Sequence, residues 1–237
     1  TFLNRGFDQL LMDVALHRAG VTVVLDRAGV TGADGASHNG VWDIAMCSMI
    51  PGLRLAAPRD EETLRARLRE ALDVDDAPTV IRYRKGALPE PMPAMRSVGG
   101  VDILFDEAVA DSSARVLIVG TGACAPYAIE AARRLAADGV SVTVADPQWM
   151  IPICPELATL AHDYDCVVSV EDGIVQGGFG WSLRDAVAET GVPVRCLGVP
   201  QGFPEHGDRA AMIAQFGFDA DGIERAAREL VERIGNR

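Results

Sequence analysis

The feature that most constrains the fold is an alternation between short, valine-rich apolar runs and longer segments with helical periodicity. The runs "VTVVLD" (21–26), "TVIRY" (79–83), "VLIVG" (116–120) and "VVSVED" (167–172) have the length of strands, and helical patterns lie between them. Continuous apolar runs are typical of strands buried on both faces of a parallel sheet, and we expect this burial for the first run. We therefore predict an α/β chain of two doubly wound, mostly parallel-sheet domains.

A proline-rich stretch divides this alternation into two parts. Residues 87–97, "ALPEPMPAMRS", contain three prolines and no hydrophobic period, a composition typical of a linker. The predicted organisation is a first domain at 1–90, a linker at 91–98 and a second domain at 99–237.

Two further segments have a clear local interpretation. The strongest helix signal follows Asp60, the predicted N-cap, and places Leu64, Leu68 and Leu72 on one face. The segment "GTGACAP" (120–126) lies between a strand and a helix but lacks the third glycine of a dinucleotide-binding fingerprint. We interpret this segment as close helix–sheet packing, and we assign no catalytic residue to the second domain.

Composition and charge exclude several classes of function. The 237 residues carry a net charge of −12 without a stripe of Lys and Arg, so we expect no nucleic acid and no anionic membrane as partner. A membrane-spanning helix needs about 20 apolar residues, and no run approaches that length. The five scattered cysteines form no CxxC pair, and free thiols are typical of the reducing cytoplasm.

The most informative polar segment follows the first predicted strand. Residues 26–40 read "DRAGVTGADGASHNG", a composition that cannot build a core. Ligands of open α/β sheets bind beyond the carboxyl ends of the strands. There, Arg27 offers a planar fork for a carboxylate or phosphate, Asp34 an acceptor, and His38 a group that titrates near neutral pH. A solvated loop of ordinary turn residues is the alternative, but the combination of these three side chains favours a ligand-facing loop.

Several motifs resemble one family. In the first half, "TFLNRGFDQLLMDVAL", "LDRAGVTGADGASHNGVWDIA", "PGLRLAAPRDEETL" and "RYRKG" resemble the pyrimidine-binding domain of the 1-deoxy-D-xylulose-5-phosphate synthases, thiamine diphosphate-dependent relatives of transketolase. In the second half, "VVSVEDGIVQGGFG" and "VPQGFPEHGDRAAMIAQFGFD" are similar to the family's C-terminal domain. The resemblance implies decarboxylative condensation of pyruvate with D-glyceraldehyde 3-phosphate, whose product feeds isoprenoid and thiamine biosynthesis.

The same resemblance implies roles for individual residues. Phe2 matches the aromatic residue that stacks on the aminopyrimidine ring of the cofactor, and Arg5 matches a residue beside that ring. Asp34 matches a carboxylate near the reactive centre, and His38 a histidine that contacts the pyruvate-derived group. Apart from the resemblance, the sequence favours a core position at the start of a helix for Phe2, and the alternative for Arg5 is a solvated helix charge.

The resemblance also implies a phosphate-binding site. Arg27 matches one cation that holds the phosphate of glyceraldehyde 3-phosphate, and Lys85 matches the second. The family pattern there is "RYPRG", whereas this chain reads "RYRKG". Lysine keeps the charge but loses the bidentate fork of arginine. Arg82 and Arg84 are neighbouring alternatives, and the sequence leaves open which of these cations reaches the phosphate.

Other parts of the family pattern have no match in this chain. In the family, the motif that holds Mg²⁺ and the diphosphate lies in an N-terminal domain. A glutamate that acts on the cofactor ring lies just upstream of the position that matches Thr1. The chain starts without Met and inside a helical pattern, so we expect it to be the C-terminal portion of a homodimeric enzyme and inactive alone. The alternatives are a non-catalytic dimerisation or regulatory module and the pyrimidine-side subunit of a split transketolase.

Overall fold

The computed structural model describes residues 2–236, which form two β-sheets with helices packed on them. The strands are β1 (Thr22–Leu25), β2 (Arg54–Ala56), β3 (Thr79–Arg82), β4 (Arg96–Val98), β5 (Val101–Glu107), β6 (Arg115–Gly120), β7 (Ser141–Asp146), β8 (Trp149–Ile151), β9 (Cys166–Ile174) and β10 (Val194–Val199). The α-helices are α1 (Phe7–Gln9), α2 (Asp43–Cys47), α3 (Glu61–Leu72), α4 (Ala125–Ala137), α5 (Pro155–Ala161), α6 (Phe179–Ala186), α7 (Arg209–Phe216) and α8 (Ala220–Gly235). A 3-10 helix, Phe2–Gly6, precedes α1, and a π-helix, Leu10–Ala15, follows it.

The first sheet has the strand order β1-β3-β2-β8. Its first three strands are parallel, and Leu25 at the end of β1 lies beside Arg82 at the end of β3. The fourth strand, β8, belongs to the second half of the chain and pairs with β2 in the antiparallel direction. The α/β prediction is confirmed, but the contribution of β8 was not predicted.

The second sheet has the strand order β10-β9-β6-β7-β5-β4. Strands β10, β9, β6 and β7 are parallel, whereas β5 and β4 add an antiparallel edge. The sheet therefore has its topological switch point between β6 and β9, whose carboxyl ends carry Thr121 and Asp172. The sequence analysis did not predict the two strands at residues 96–107, because an antiparallel edge produces no strand–helix alternation.

Helix α3 forms where the sequence predicts it, because its first turn is capped. The Asp60 carboxylate accepts a hydrogen bond from the Thr63 backbone N–H. In return, the Asp60 backbone N–H donates to the Thr63 hydroxyl oxygen. Leu64 and Leu68 pack on a small core, as expected. Leu72, on the same predicted face, does not join this core: it is the last residue of the helix and is 67% exposed.

The expectation that the first strand is buried on both faces is wrong. Val24 of β1 is 49% exposed, and the neighbouring residues are only partly buried. Strand β1 is the edge of its sheet, so one side of it has no neighbouring strand among the described residues. Its apolar composition therefore reflects a partly covered surface.

The two halves share their hydrophobic cores. In one core, Val30 and Val41 of the first half pack with Ile118 and Phe218 of the second. Gly122 marks a close backbone approach between the halves: its φ is +50°, and a Cβ there would lie 2.8 Å from the carbonyl oxygen of Ala57. The segment "GTGACAP" therefore includes a contact between halves as well as helix–sheet packing.

The structure places a strand inside the predicted linker. Residues 91–95 are irregular, but β4 lies within 91–98 and pairs with β5 of the second sheet. We propose to keep the domain boundary in this segment, because the first sheet's own parallel strands end before it and the second sheet begins with β4.

Candidate active site

Residues 26–40 form a loop that leaves the carboxyl end of β1. Its base is closed by two backbone hydrogen bonds between Gly29 and Gly40, of 2.8 and 2.9 Å. The Ala28 N–H also donates to the carbonyl oxygen of Tyr83, directly after β3. Because β1 and β3 are neighbouring parallel strands, the loop and the segment after β3 lie at the same edge of the sheet.

Asn39 holds the interior of the loop together. Its side-chain oxygen accepts from the Thr31 N–H at 2.9 Å, and its amide donates to the carbonyl oxygen of Gly35 at 3.0 Å. Asn39 is fully buried. The loop is therefore a compact unit with its own hydrogen bonds, and its polar composition serves backbone groups that neither sheet satisfies.

Asp34 and Lys85 form an ion pair across the site. The Lys85 ammonium donates to both carboxylate oxygens of Asp34 at 2.8 Å. This hydrogen-bonded ammonium lowers the pKa of the Asp34 carboxyl, with smaller contributions from Arg27 and His38. The structure thus brings together four residues that the sequence analysis selected.

Phe2 and His38 meet at the other end of the site. Their rings pack edge to face with centroids 6.2 Å apart, and His38 Nδ1 lies 2.9 Å from the hydroxyl of Ser37. A cavity of about 360 Å³ adjoins Phe2 and is lined by Leu3, Val24 and Leu25, among others. Phe2 is 78% exposed, so its ring faces are free of a covering core, unlike those of a core aromatic residue.

Arg27 and Arg5 differ in their relation to this cavity. Arg27 lines it with a largely exposed side chain and has a left-handed backbone conformation, φ +61°. Such a conformation is uncommon outside glycine and recurs at functional sites. Arg5 lies one turn from Phe2 with an exposed side chain, but it is not among the described residues that line the cavity.

The three cations at and just after the end of β3 have separate environments. Arg82 is buried and bound to Asp43, with Nε donating at 2.7 Å to the carboxylate, so its guanidinium is already occupied. Arg84 lines a second cavity of about 280 Å³, between the halves. Lys85 is the cation beside Asp34. Of the three, Lys85 is therefore the one that lies next to the other selected residues.

The second half of the chain also contacts the loop. The Val30 N–H donates to the Asp172 carboxylate at 2.9 Å, and Arg209 Nε donates to the Val30 carbonyl oxygen at 2.9 Å. Neither residue was selected from the sequence. Asp172 ends the apolar run of β9, so the rule that sites lie at carboxyl ends of strands could have identified it. Arg209 begins α7, which was not predicted.

Two findings concern metals and membranes. Within residues 2–236, no three His, Cys, Asp or Glu side chains come together in a way that could hold a metal ion. Over the same residues, the structure contains no helix of the length and apolarity needed to cross a lipid bilayer.

Comparison with known proteins defines the class. The family model described as the pyrimidine-binding domain of transketolase matches residues 1–91, and that of the transketolase C-terminal domain matches residues 107–223. A split-gene transketolase, solved as an inactive beta4 tetramer, has a TM-score of 0.81 and 26% identity over 97% of this chain and 72% of its own. The chain therefore belongs to the transketolase family.

Its similar relatives narrow the class further. The chain is 51% identical to a 1-deoxy-D-xylulose-5-phosphate synthase of Corynebacterium glutamicum over 94% of its length, and 50% identical to 1-deoxy-D-xylulose-5-phosphate synthase 2 of Streptomyces coelicolor over 100%. It spans 36% and 37% of the length of these two relatives. The resemblance seen in the sequence motifs is thus confirmed, for a little over a third of such a protein.

Proposed function

We propose that this chain is the C-terminal portion of a 1-deoxy-D-xylulose-5-phosphate synthase, which condenses pyruvate with D-glyceraldehyde 3-phosphate and releases carbon dioxide. The observation that carries the proposal is the cluster of Arg27, Asp34, His38 and Lys85 beside the exposed ring of Phe2. The chain is 51% and 50% identical to two named synthases over 94% and 100% of its length, and this supports a synthase rather than another member of the transketolase family.

The residues around the first cavity fit the aminopyrimidine of thiamine diphosphate. A flat heteroaromatic ring needs an aromatic face to stack on and apolar walls, and Phe2, Leu3 and Leu25 supply both. When bound, the cofactor supplies the thiazolium carbon at which carbon–carbon bonds are broken and formed. We also propose Arg5 as a neighbour of the ring, since it follows Phe2 on the same short helix.

The polar residues supply charge and proton transfer. Asp34, whose pKa is lowered by the hydrogen-bonded Lys85, can accept a proton or a hydrogen bond from a substrate hydroxyl or a cofactor amine. His38 is held through Nδ1 by Ser37, which leaves Nε2 to exchange a proton with substrate. Arg27 and Lys85 carry the positive charge that a phosphate requires. We propose them as the two phosphate ligands.

Further parts of the enzyme complete the proposal. The diphosphate needs Mg²⁺, and we place its ligands in the N-terminal part of the enzyme. A homodimer fits the exposed apolar side chains of Met12 and Leu16, which a second polypeptide can cover. A cytoplasmic location fits the five free cysteines, none of which forms a disulfide within the described chain.

The test uses the complete enzyme, meaning this chain joined to its N-terminal part. Asp34→Ala and His38→Ala should each lower kcat by about 10²- to 10⁴-fold, the range typical of acid–base groups, with little change in thermal stability. His162→Ala, at an exposed position after α5, is the matched control and should retain full activity. Product formation from pyruvate and D-glyceraldehyde 3-phosphate is followed by NMR.

Three outcomes would contradict the proposal. Near-normal activity of either variant would remove the site assignment. Transfer of two-carbon units between sugar phosphates, without consumption of pyruvate, would indicate the split transketolase. A stable dimer without turnover of any of these substrates would indicate the binding or regulatory module.

A further inference from the structure

We propose that Asp172 and Arg209, in the second half of the chain, are positioning residues that fix the 26–40 loop and thereby the location of Asp34 and His38. The inference deepens the proposed function and rests on it for its kinetic part. It assigns to the C-terminal domain a role in the active site. Side chains of this domain bind the backbone of the loop and need not touch substrate.

Both backbone groups of Val30 are held by this pair. Asp172 Oδ1 accepts from the Val30 N–H at 2.9 Å, and Arg209 Nε donates to the Val30 carbonyl oxygen at 2.9 Å. The two side chains are themselves joined, since Arg209 donates to Asp172 Oδ2 at 2.7 Å. Only 2% of the Asp172 side chain and 18% of the Arg209 side chain are exposed. The pair thus supplies the two hydrogen-bond partners that a neighbouring strand would otherwise give to Val30.

Gly29 shows how closely the loop approaches Asp172. Its φ is +78°, and a Cβ at this position would lie 2.2 Å from Asp172 Oδ2. A side chain at residue 29 would therefore displace either the loop or the carboxylate. The backbone of the loop at Gly29 therefore lies directly against a buried carboxylate of the second half.

A second set of contacts continues along the loop from the segment before Arg209. The Gly207 N–H donates to the carbonyl oxygen of Gly32 at 3.3 Å, and the Asn39 amide approaches the carbonyl oxygen of Pro204 at 3.4 Å. The contacts at residues 30, 32 and 39 flank Asp34 and His38 on both sides. The second half therefore holds the loop at its ends and leaves its ligand-facing side chains free.

Asp172 also connects the loop with β3. Arg82, the last residue of β3, donates to the backbone carbonyl oxygen of Asp172 at 2.8 Å. Lys85 follows three residues later and binds Asp34. One residue of the second half is therefore bonded to both segments that carry the ion pair, so a shift of Asp172 changes the distance between them.

The variants Asp172→Asn and Arg209→Gln test the proposal in the complete enzyme. Asparagine keeps the shape of Asp172 but presents an N–H group to one of two donors, and glutamine removes the fork that joins Val30 to Asp172. Because an error of about 1 Å in the position of a catalytic group can cost about 10²-fold, we expect kcat to fall by about 10- to 100-fold. The affinity for thiamine diphosphate should change little, since neither residue of the pair is among the described residues that line the cavity beside Phe2.

Hydrogen exchange measured by mass spectrometry gives a readout independent of activity. Amides 29–40 should exchange faster in both variants, whereas helices α3 and α4 should keep their wild-type protection. Arg209→Lys, which retains the charge and can donate to both acceptors, should restore part of kcat and of the protection. Arg228→Gln is the matched control, because its partners Glu224 and Asp138 lie within the second half and away from the loop.

Each outcome decides the proposal. Faster exchange of the loop together with lower kcat and unchanged cofactor affinity supports it. Unchanged exchange, or faster exchange with wild-type kcat, overturns it. If Asp172→Asn does not fold, Arg209→Gln decides alone, since Arg209 is less buried. If the wild-type enzyme lacks synthase activity, the proposed function fails, while the exchange experiment still tests whether the pair holds the loop.

Discussion

Replacement of Arg59 by Met should strongly destabilise the contact between the two halves. Arg59 follows β2, and its side chain is only 4% exposed. Its guanidinium Nη1 lies 2.8 Å from Asp102 and 3.0 Å from Asp146, both in the second half, and its Nε donates to the carbonyl oxygen of Met92 at 2.8 Å. The Asp146 side chain is fully buried. One cation thus compensates two carboxylates at this interface.

The magnitude follows from the loss of that compensation. Removal of one partner from a buried ion pair costs about 3–5 kcal/mol, because the remaining charge stays desolvated. Methionine fills a similar apolar volume, so the cost arises mainly from the charges. We therefore expect Arg59→Met to lower the free energy of unfolding by about 3–5 kcal/mol at pH 8.

The deficit should also depend on pH in a defined direction. Burial raises the pKa of Asp146 to about 6 even with Arg59 present, and without Arg59 this pKa rises further. A carboxyl group with a raised folded-state pKa loses stability as pH rises from its unfolded pKa to its folded pKa. Wild type completes this loss near pH 6, whereas the variant continues to lose about 1.4 kcal/mol for each further unit of pKa shift. The deficit should thus be larger at pH 8 than at pH 5.5.

Urea unfolding of both proteins at pH 5.5, 7 and 8 measures this. Arg195→Met is the matched control, because Arg195 and Glu229 form an exposed pair at 3.8 Å with more than half of each side chain accessible. Exposed pairs contribute about 0–1 kcal/mol. A deficit for Arg59→Met that is below 1 kcal/mol, or that is the same at all three pH values, would refute the reasoning.

Two more predictions concern single carboxylates. Lys85→Met should return the pKa of Asp34 toward its usual value, because the ammonium that lowers it is gone. The acidic limb of the plot of kcat/KM against pH should then move to higher pH, whereas the control Arg84→Met should leave it in place. An unmoved limb for Lys85→Met would exclude this role of Lys85. Burial raises the pKa of Glu171 from 4.5 to about 7, so wild type should lose about 1.4 kcal/mol per pH unit between these values. Glu171→Gln should flatten that slope in urea unfolding at pH 5, 6 and 8, and equal slopes would contradict it.

The parts of the fold that follow from local chemistry could be predicted. Helix α3 has its cap, its acidic first turn and its apolar stripe within fifteen residues, so the sequence alone defines it. The position of the 26–40 loop could also be predicted, because it needs only a strand and the rule for its carboxyl end. The pairing of Asp34 with Lys85 needed the order of the strands as well, since β1 and β3 are neighbours although β2 lies between them in sequence.

The parts that depend on distant segments could not be predicted. Strand β8 has three residues and no hydrophobic period, and it becomes a strand only because β2 offers an open edge. The bond from the Val30 N–H to Asp172 joins residues 142 positions apart. Such contacts leave no periodic signal in either segment, and for this reason Asp172 and Arg209 were absent from the candidates.

The polar composition of the 26–40 loop explains why the second half is needed at all. A segment with four glycines among fifteen residues cannot bury enough apolar surface to hold itself in place, and each buried N–H or carbonyl group without a partner costs about 1–3 kcal/mol. Asn39 and the ends of β1 and β3 satisfy some of these groups from the first half. The remaining ones at residues 30 and 32 are satisfied by residues 172, 207 and 209. The composition that lets the loop face a ligand is therefore also what makes its position depend on the C-terminal domain.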